Sequence, residues 1–245
     1  MVGGVLVLAA GKSTRIASIA AGAPKPLLEF GGKSLIEWNL EWLVSAGVTE
    51  VWINLHYRPE AIRAALGDGS RYGVRIEYSY EPELLGTAGA WRRVASDWET
   101  TSLVVYGDNV LRFDLGEFLA AHRRTGAVAT VAVFDPARHC NTGIAGGHVV
   151  LDGAGRIAEF REGAPGRDGV PEYVNAGAYL LEPEVLAAIP AGFQDFGRDV
   201  FPRLLAGGGL YGHVIEDSGF CLGLDTPESF AEGRRLLEAG EVKLS

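Results

Sequence analysis

Three short stretches of this chain hold residues suited to handling phosphate. The first, Leu8-Ala9-Ala10-Gly11-Lys12-Ser13-Thr14-Arg15, follows directly on an apolar run. Gly11 lets the backbone turn sharply and approach a ligand. Successive N–H groups in such a turn form an anion-binding nest, and Arg15 adds a planar guanidinium for phosphate oxygens. Gly-Lys-Ser invites a P-loop reading, but G-x-x-x-x-G-K-[ST] needs glycine at position 6, which is Leu6. A plain glycine turn with exposed polar side chains accounts for the stretch about equally well.

The second stretch is Pro24-Lys25-Pro26-Leu27-Leu28, followed by Gly31-Gly32-Lys33-Ser34. The flanking prolines predict an extended, preset backbone at Lys25. A rigidly placed ammonium suits charge developing on a transferring phosphoryl group. Taken alone, a proline-rich surface turn with a solvated lysine is the simpler account. The third stretch is Tyr106-Gly107-Asp108-Asn109, at the carboxyl end of an expected parallel strand. Open α/β sheets bind ligands outside those strand ends, and a carboxylate there suits Mg²⁺. A Gly-Asp turn ending a strand is common, but its position favours function.

These stretches need elements to hold them. Val5–Leu8 reads as a buried strand. Ser34-Leu35-Ile36-Glu37 is a capping box that predicts a helix to about Ala46. Val51–Asn54 reads as a strand, Pro59 opens a helix to Leu66, and Arg75–Tyr80, Leu103–Tyr106 and Ala129–Val133 read as strands. Between them, Thr87–Val94 and Leu115–Arg124 read as helices. Beyond Asp135 the expected strands are His148–Leu151, Ile157–Phe160, Val174–Leu181, Leu210–Ile215 and Phe220–Leu224. Arg161–Gly169 reads as a mobile loop. Helices are expected near Pro183–Ile189 and Arg198–Ala206, and from Thr226 as N-cap to about Ala239. The alternation predicts a Rossmann-like, three-layer αβα fold with a mixed, mostly parallel sheet and a small β-rich lobe. We expect a single domain over 1–245, with two halves at 1–133 and 134–245.

Composition narrows the partners. The 245 residues carry a net charge of −9, and their basic residues are scattered, so no nucleic-acid-binding stripe is present. No run approaches the ~18 apolar residues of a membrane helix. Cys140 and Cys221 form no disulfide framework, and the five histidines lack ligand spacing, so zinc is not expected. A cytoplasmic protein is the expectation, and a homodimer is left open.

In this order the stretches resemble the sugar-1-phosphate nucleotidylyltransferases over nearly the whole chain. The family opens L-A-A-G-x-G-T-R, matched by Leu8–Arg15 except that Ser13 replaces the second glycine. P-K-P-L matches at Pro24–Leu27, and G-T-A-G at Gly86–Gly89 after Glu81. G-D matches at Gly107-Asp108, N-A-G at Asn175–Gly177, and the closing D-T-P-E at Asp225–Glu228.

The resemblance implies that residues 8–15 hold the triphosphate, with Arg15 and Lys25 supporting the transition state. It implies that Glu81, Gly86, Thr87 and Gly89 lie beside base and ribose, that Asp108 binds Mg²⁺, and that Gly143, Glu162, Asn175 and Gly177 lie toward the sugar. Two departures stand out. Gly163 occupies the place of a lysine that meets the sugar phosphate, so Arg161 or Arg167 is expected to replace it. Gly223 occupies the place of a second metal aspartate; either Asp225 shifts into that role or the metal keeps more water.

The implied reaction joins an NTP to a sugar 1-phosphate and releases pyrophosphate. The G-T-A-G segment points to GTP with mannose- or heptose-type sugars, in a short branch resembling the mannose- and heptose-1-phosphate guanylyltransferases. The chain shows no β-helix or acyltransferase extension, which predicts a monofunctional enzyme. The alternatives are a thymidylyl-, uridylyl- or cytidylyltransferase of the same family, or a non-catalytic nucleotide-sugar-binding regulator. A Rossmann oxidoreductase is disfavoured, because residues 9–15 lack G-x-G-x-x-G.

Overall fold

The strands of this protein present alternate residues to two faces, and both faces are apolar. In β1 (Gly4–Leu8), Val5 and Val7 face one side while Leu6 and Leu8 face the other. Such double-sided burial needs helices above and below the sheet. The computed structural model describes residues 2–12, 14–143, 146–163 and 172–244 and has that arrangement.

In chain order, a short helix α1 (Ala17–Ala20) and a small ribbon of β2 (Glu29–Phe30) and β3 (Lys33–Ser34) lead to α2 (Leu35–Ser45). Next come β4 (Glu50–Leu55), α3 (Pro59–Leu66), β5 (Arg75–Tyr80), α4 (Gly86–Val94) and β6 (Ser102–Tyr106). They are followed by β7 (Asn109–Arg112), α5 (Leu115–Thr125), β8 (Ala129–Phe134), β9 (His148–Leu151), β10 (Ile157–Arg161) and β11 (Tyr173–Leu181). The chain then makes α6 (Phe201–Gly207), β12 (Leu210–Val214), β13 (Phe220–Gly223) and α7 (Pro227–Glu238).

Among the described residues the main sheet has nine strands, ordered β10-β9-β11-β6-β1-β4-β5, with β8 joining β11 to β12. β5, β4, β1 and β6 are mutually parallel, whereas β11 runs antiparallel to β6, β8 and β9. Ile36 and Leu40 of α2, Ile62 of α3 and Phe118 of α5 cover one face. Trp91 of α4, Val185 and Phe201 of α6 cover the other. A third cluster gathers Ile16, Phe30, Trp38, Leu222 and Phe230 between α2, β13 and α7. Each fully buried side chain of this kind contributes about 1.5–3 kcal/mol.

Several expected boundaries differ. Pro183–Ala188 is a 3₁₀ run, because Pro183 at its start and its short length suit the tighter turn. The expected helix at Arg198 begins earlier, as a π turn over Phe196–Val200, where Asp195 caps the N–H groups of Gly197 and Arg198. Arg161 ends β10 rather than opening a loop, and 164–171 lie outside the described residues. The ribbon of β7 and β13 was not anticipated.

Candidate active site

The carboxyl ends of the parallel strands set the site. β1 delivers the Leu8–Gly11 turn, β6 delivers Asp108, β4 delivers Asn54 and His56, and β5 runs into Glu81. Leu8, Ala9, Ala10, Gly11, Thr87 and Asp108 line a cleft of about 220 Å³ between these ends. A larger cavity of about 480 Å³ lies at the opposite strand ends, against Gly4, Trp52 and Trp98, remote from the three phosphate-suited stretches.

Lys25 is the electrostatic centre. Its side chain is only 3% exposed, and its Nζ donates to Asp225 Oδ1 at 2.8 Å and to Asp108 Oδ2 at 3.1 Å. Burial alone would favour the neutral amine, but the two carboxylates outweigh it and hold Lys25 above its ordinary pKa. The lysine is therefore an ammonium at any physiological pH. It sits at the first residue of a 3₁₀ turn, Lys25–Leu27, rather than in the extended conformation expected. Pro24 and Leu28, on either side of the turn, are extended; Pro26 is tolerated because the first turn of a helix does not use its N–H.

The aspartates reach Lys25 from positions far apart in the chain. Asp108 leaves the turn between β6 and β7, which buried Asn39 of α2 clamps. Asn39 donates to Asn109 O at 2.6 Å and Tyr106 O at 3.2 Å, and accepts from Leu111 N–H at 3.3 Å. Gly107 N–H donates to Leu8 O at 2.8 Å, and a Cβ at Gly107 would stand 2.8 Å from that same oxygen. Gly223 pairs with Asn109 across the β7–β13 ribbon. The chain then carries Asp225 across to Lys25 before Thr226 caps α7 with its own capping box. Arg15, largely exposed, lies 3.4 Å from Asp225 Oδ1. Lys12 is exposed and Ser13 lies outside the described residues; Thr14 begins the 3₁₀ turn Thr14–Ile16.

Glu81 follows the end of β5. It is fully buried; Oε1 accepts from Asn54 Nδ2 at 2.8 Å and Oε2 from Leu85 N–H at 2.9 Å. Asn54 Oδ1 accepts Ala9 N–H at 2.7 Å. The carboxylate thus ties the phosphate turn to the start of α4. Gly86, Thr87 and Gly89 form the first turn of α4, and the segment 192–196 packs upon them. Asn39 and Asn54 were missed by sequence reasoning. The available signal was an asparagine at a position otherwise calling for an apolar residue.

Asn175 and Gly177, two of the residues expected toward the sugar, lie at a kink in β11. Asn175 donates to Tyr179 Oη at 2.8 Å and accepts Gly177 N–H at 2.9 Å. Gly177 has φ +78°, and a Cβ there would meet Tyr106 and Asn109 at 3.1 and 3.2 Å. Glu162 lies against Gly147 and Gly197, and burial, then the charge of Asp195, push its carboxyl pKa up. Gly143 takes φ +71° and donates to Asn141 Oδ1 at 3.0 Å, close to the end of β13. Arg161 pairs with Glu172 and with Glu159. Arg167 lies outside the described residues.

Two carboxylates converging on one point, beside a glycine turn and two cations, suit a magnesium ion carried in with phosphates. Mg²⁺ takes one or two protein carboxylates and keeps water or phosphate oxygens for the rest. Among the described residues no group of three or more His, Cys, Asp or Glu side chains forms a protein-only cage.

Comparison with known proteins gives the family and the fold. The profile described as nucleotidyl transferase matches residues 4–235. The chain belongs to the nucleotidyl transferase family. It is 35% identical over 242 residues to a mannose-1-phosphate guanylyltransferase of Mycobacterium tuberculosis, covering 96% of this chain and 64% of that protein. It is 32% identical over 216 residues to a UTP–glucose-1-phosphate uridylyltransferase of Synechocystis, covering 83% and 55%. The chain thus spans 55% and 64% of the length of these two relatives. In fold, this chain matches HddC from Yersinia pseudotuberculosis with a TM-score of 0.80 at 22% identity, covering 97% of this chain and 100% of that one. A second HddC structure, complexed with GMP-PN, matches at 0.79.

Proposed function

We propose that this nucleotidyl transferase condenses a nucleoside triphosphate, GTP by preference, with a mannose- or heptose-type sugar 1-phosphate, giving a nucleotide sugar and pyrophosphate. The observation that carries this reading is Lys25, a buried ammonium held by Asp108 and Asp225 beside the Leu8–Gly11 turn. Relatives named for guanylyl transfer to mannose 1-phosphate support the choice of base. Low identity limits the HddC likeness to the fold.

A sugar phosphate is already a nucleophile near neutral pH, since its second pKa is ~6. One of its oxygens attacks the α-phosphorus. The new P–O bond forms as the bond to the β-phosphate bridge breaks, and the electron pair leaves with pyrophosphate. The protein therefore needs positioning and charge rather than a general base. The end of the turn, Ala10 and Gly11, offers N–H groups to the phosphates, since the Ala9 N–H is held by Asn54, and Arg15 and Lys25 oppose their negative charge. Asp108 and Asp225 would hold Mg²⁺, which when bound screens the phosphate oxygens. Arg161 and Arg167 are the candidates for the sugar phosphate.

Mass analysis of a reaction holding GTP, Mg²⁺ and mannose 1-phosphate or a heptose 1-phosphate tests the reading. A GDP-sugar with equimolar pyrophosphate is expected. Protein that binds GTP but releases no pyrophosphate with any sugar 1-phosphate would be a nucleotide-sugar-binding regulator instead.

A further inference from the structure

The centre of the cleft balances its charges before any ligand arrives. Lys25 Nζ lies between the two aspartates, 2.8 Å from Asp225 Oδ1 and 3.1 Å from Asp108 Oδ2, and Arg15 lies 3.4 Å from the same Asp225 oxygen. Two cations thus face two carboxylates. An ion shared by Asp108 and Asp225 would need the point that Nζ now holds. A dication arriving from water meets an ammonium there, and Mg²⁺ gives up its water reluctantly.

The partners in this cluster differ in freedom. Backbone contacts hold the carboxylates: Asp108 sits on the turn that Asn39 clamps, and Asp225 immediately precedes the Thr226 capping box. The backbone of Lys25 is equally fixed in its 3₁₀ turn, but its ammonium ends a flexible four-carbon stem with three rotatable donors. Arg15 is a long and largely exposed side chain. Pro26, the residue after Lys25, lines the same cleft as Ala10, Gly11 and Asp108, so phosphates seated at the Ala10 and Gly11 N–H groups lie beside the lysine turn.

We propose that Lys25 is a counter-cation lock: it holds the metal position until phosphates draw it away, so the site accepts a divalent ion only as its chelate with the triphosphate and excludes the free ion. The inference rests on the transferase reading above, with Asp108 and Asp225 as the metal pair. A nucleoside triphosphate carries enough negative charge to accept both the Lys25 ammonium and the Arg15 guanidinium in charge-assisted hydrogen bonds. When the two cations exchange carboxylate for phosphate, Asp108 and Asp225 are freed at the moment a metal is beside them. The exchange makes and breaks no covalent bond; it swaps ionic partners and leaves every proton where it was. A free ion brings no phosphate and offers Lys25 no new partner. Lys25 is thereby a specificity residue for the form in which the metal enters, besides its place among the reacting phosphates.

Equilibrium dialysis of Mn²⁺ against the protein, with no sugar phosphate and no turnover, tests this. Wild type alone should bind Mn²⁺ no more tightly than about 1 mM, whereas with GTP present the two should be retained together in equal amounts. Lys25→Met should bind Mn²⁺ without nucleotide at least about tenfold more tightly than wild type, because one neutralising charge is gone. Lys25→Arg keeps that charge and should exclude Mn²⁺ as wild type does. Adding Asp225→Asn to Lys25→Met should abolish the gain, which ties it to this pair rather than to the other carboxylates of an acidic chain. A gain that survives Asp225→Asn, a gain of equal size in Lys25→Arg, or no gain in Lys25→Met would overturn the proposal and leave the transferase reading standing. Wild type binding Mn²⁺ alone more tightly than about 1 mM would overturn it without recourse to any variant. Wild type that retains no Mn²⁺ even with GTP would remove the transferase reading and the proposal with it.

Discussion

Replacing Lys25 by methionine removes the charge at the centre of the site while keeping most of the packing. The ammonium it deletes is 3% exposed and bonded to two carboxylates at 2.8 and 3.1 Å. Breaking a fully buried ion pair costs about 3–5 kcal/mol. Here Asp225 and Asp108 are 22% and 33% exposed, so solvent screens part of that cost and about 2 kcal/mol is a fair figure. At 2–4 °C per kcal/mol for a domain of this size, Tm should fall by about 4–8 °C. The sign with pH follows from the raised lysine pKa. The contribution is fully present below the ordinary value of 10.5 and is lost as pH rises through the folded value above it. The difference between wild type and variant should therefore stay level from about pH 6 to 9. Turnover should fall by about 10²–10³, the loss typical of one preorganised charge at a transition state. Thermal melts across pH and pyrophosphate-release kinetics measure both effects. A variant with wild-type kcat would refute the assignment of Lys25 to the reaction. A stability gap that closes between pH 6 and 9 would refute the electrostatic argument.

Further outcomes are expected elsewhere. Glu81→Gln leaves Leu85 N–H or Asn54 without its charged acceptor, so KM for the triphosphate should rise about tenfold. The ranking of the five nucleotides should not change, since Glu81 is fully buried; a changed ranking in a nucleotide panel would show that it contacts the base. Gly177→Ala, at φ +78° and against Tyr106, should cost about 1–3 kcal/mol in a denaturant melt. Glu162→Gln removes a carboxylate whose pKa is raised above 4.5 by burial and by Asp195. Its wild-type penalty appears as pH rises through the folded value, so the variant should melt higher than wild type at pH 7.5, and the gain should vanish toward pH 4. His122, buried and bonded to Thr130 at 2.7 Å and Glu182 at 2.9 Å, lies far along the sheet from the cleft. His122→Ala should lower stability by about 1–3 kcal/mol with kcat unchanged.

Where a local rule decided the structure, the sequence was readable. The Ser34 capping box opens α2 with Glu37 bonded back at 2.8 Å, and Pro59 opens α3 as expected. Arg75–Tyr80 and His148–Leu151 are strands over the ranges expected. Reading failed where pairing joins distant segments. Asn109–Arg112 and Phe220–Gly223 pair across more than a hundred residues, and nothing local in either marks the other. The same limit hid the packing of segment 192–196 over α4, where Leu85, Thr87, Ala88 and Gly89 are its hydrogen-bond partners. Lys25, Asp108 and Asp225 were singled out as separate stretches, but their meeting at one nitrogen depends on the long-range register of β7 with β13. Asp225 was named for what Gly223 lacks, and the ribbon explains how it can reach the centre from two residues further on.

The most direct test of the central claim is the stoichiometry of pyrophosphate release with Mg²⁺ over a grid of ATP, CTP, GTP, UTP and dTTP against several sugar 1-phosphates. The account predicts one preferred pair, led by GTP with a mannose- or heptose-type sugar, and one pyrophosphate per nucleotide sugar formed. Release should cease when the sugar phosphate is omitted. Pyrophosphate appearing without a sugar phosphate, or none appearing from protein that binds nucleotide, would contradict it.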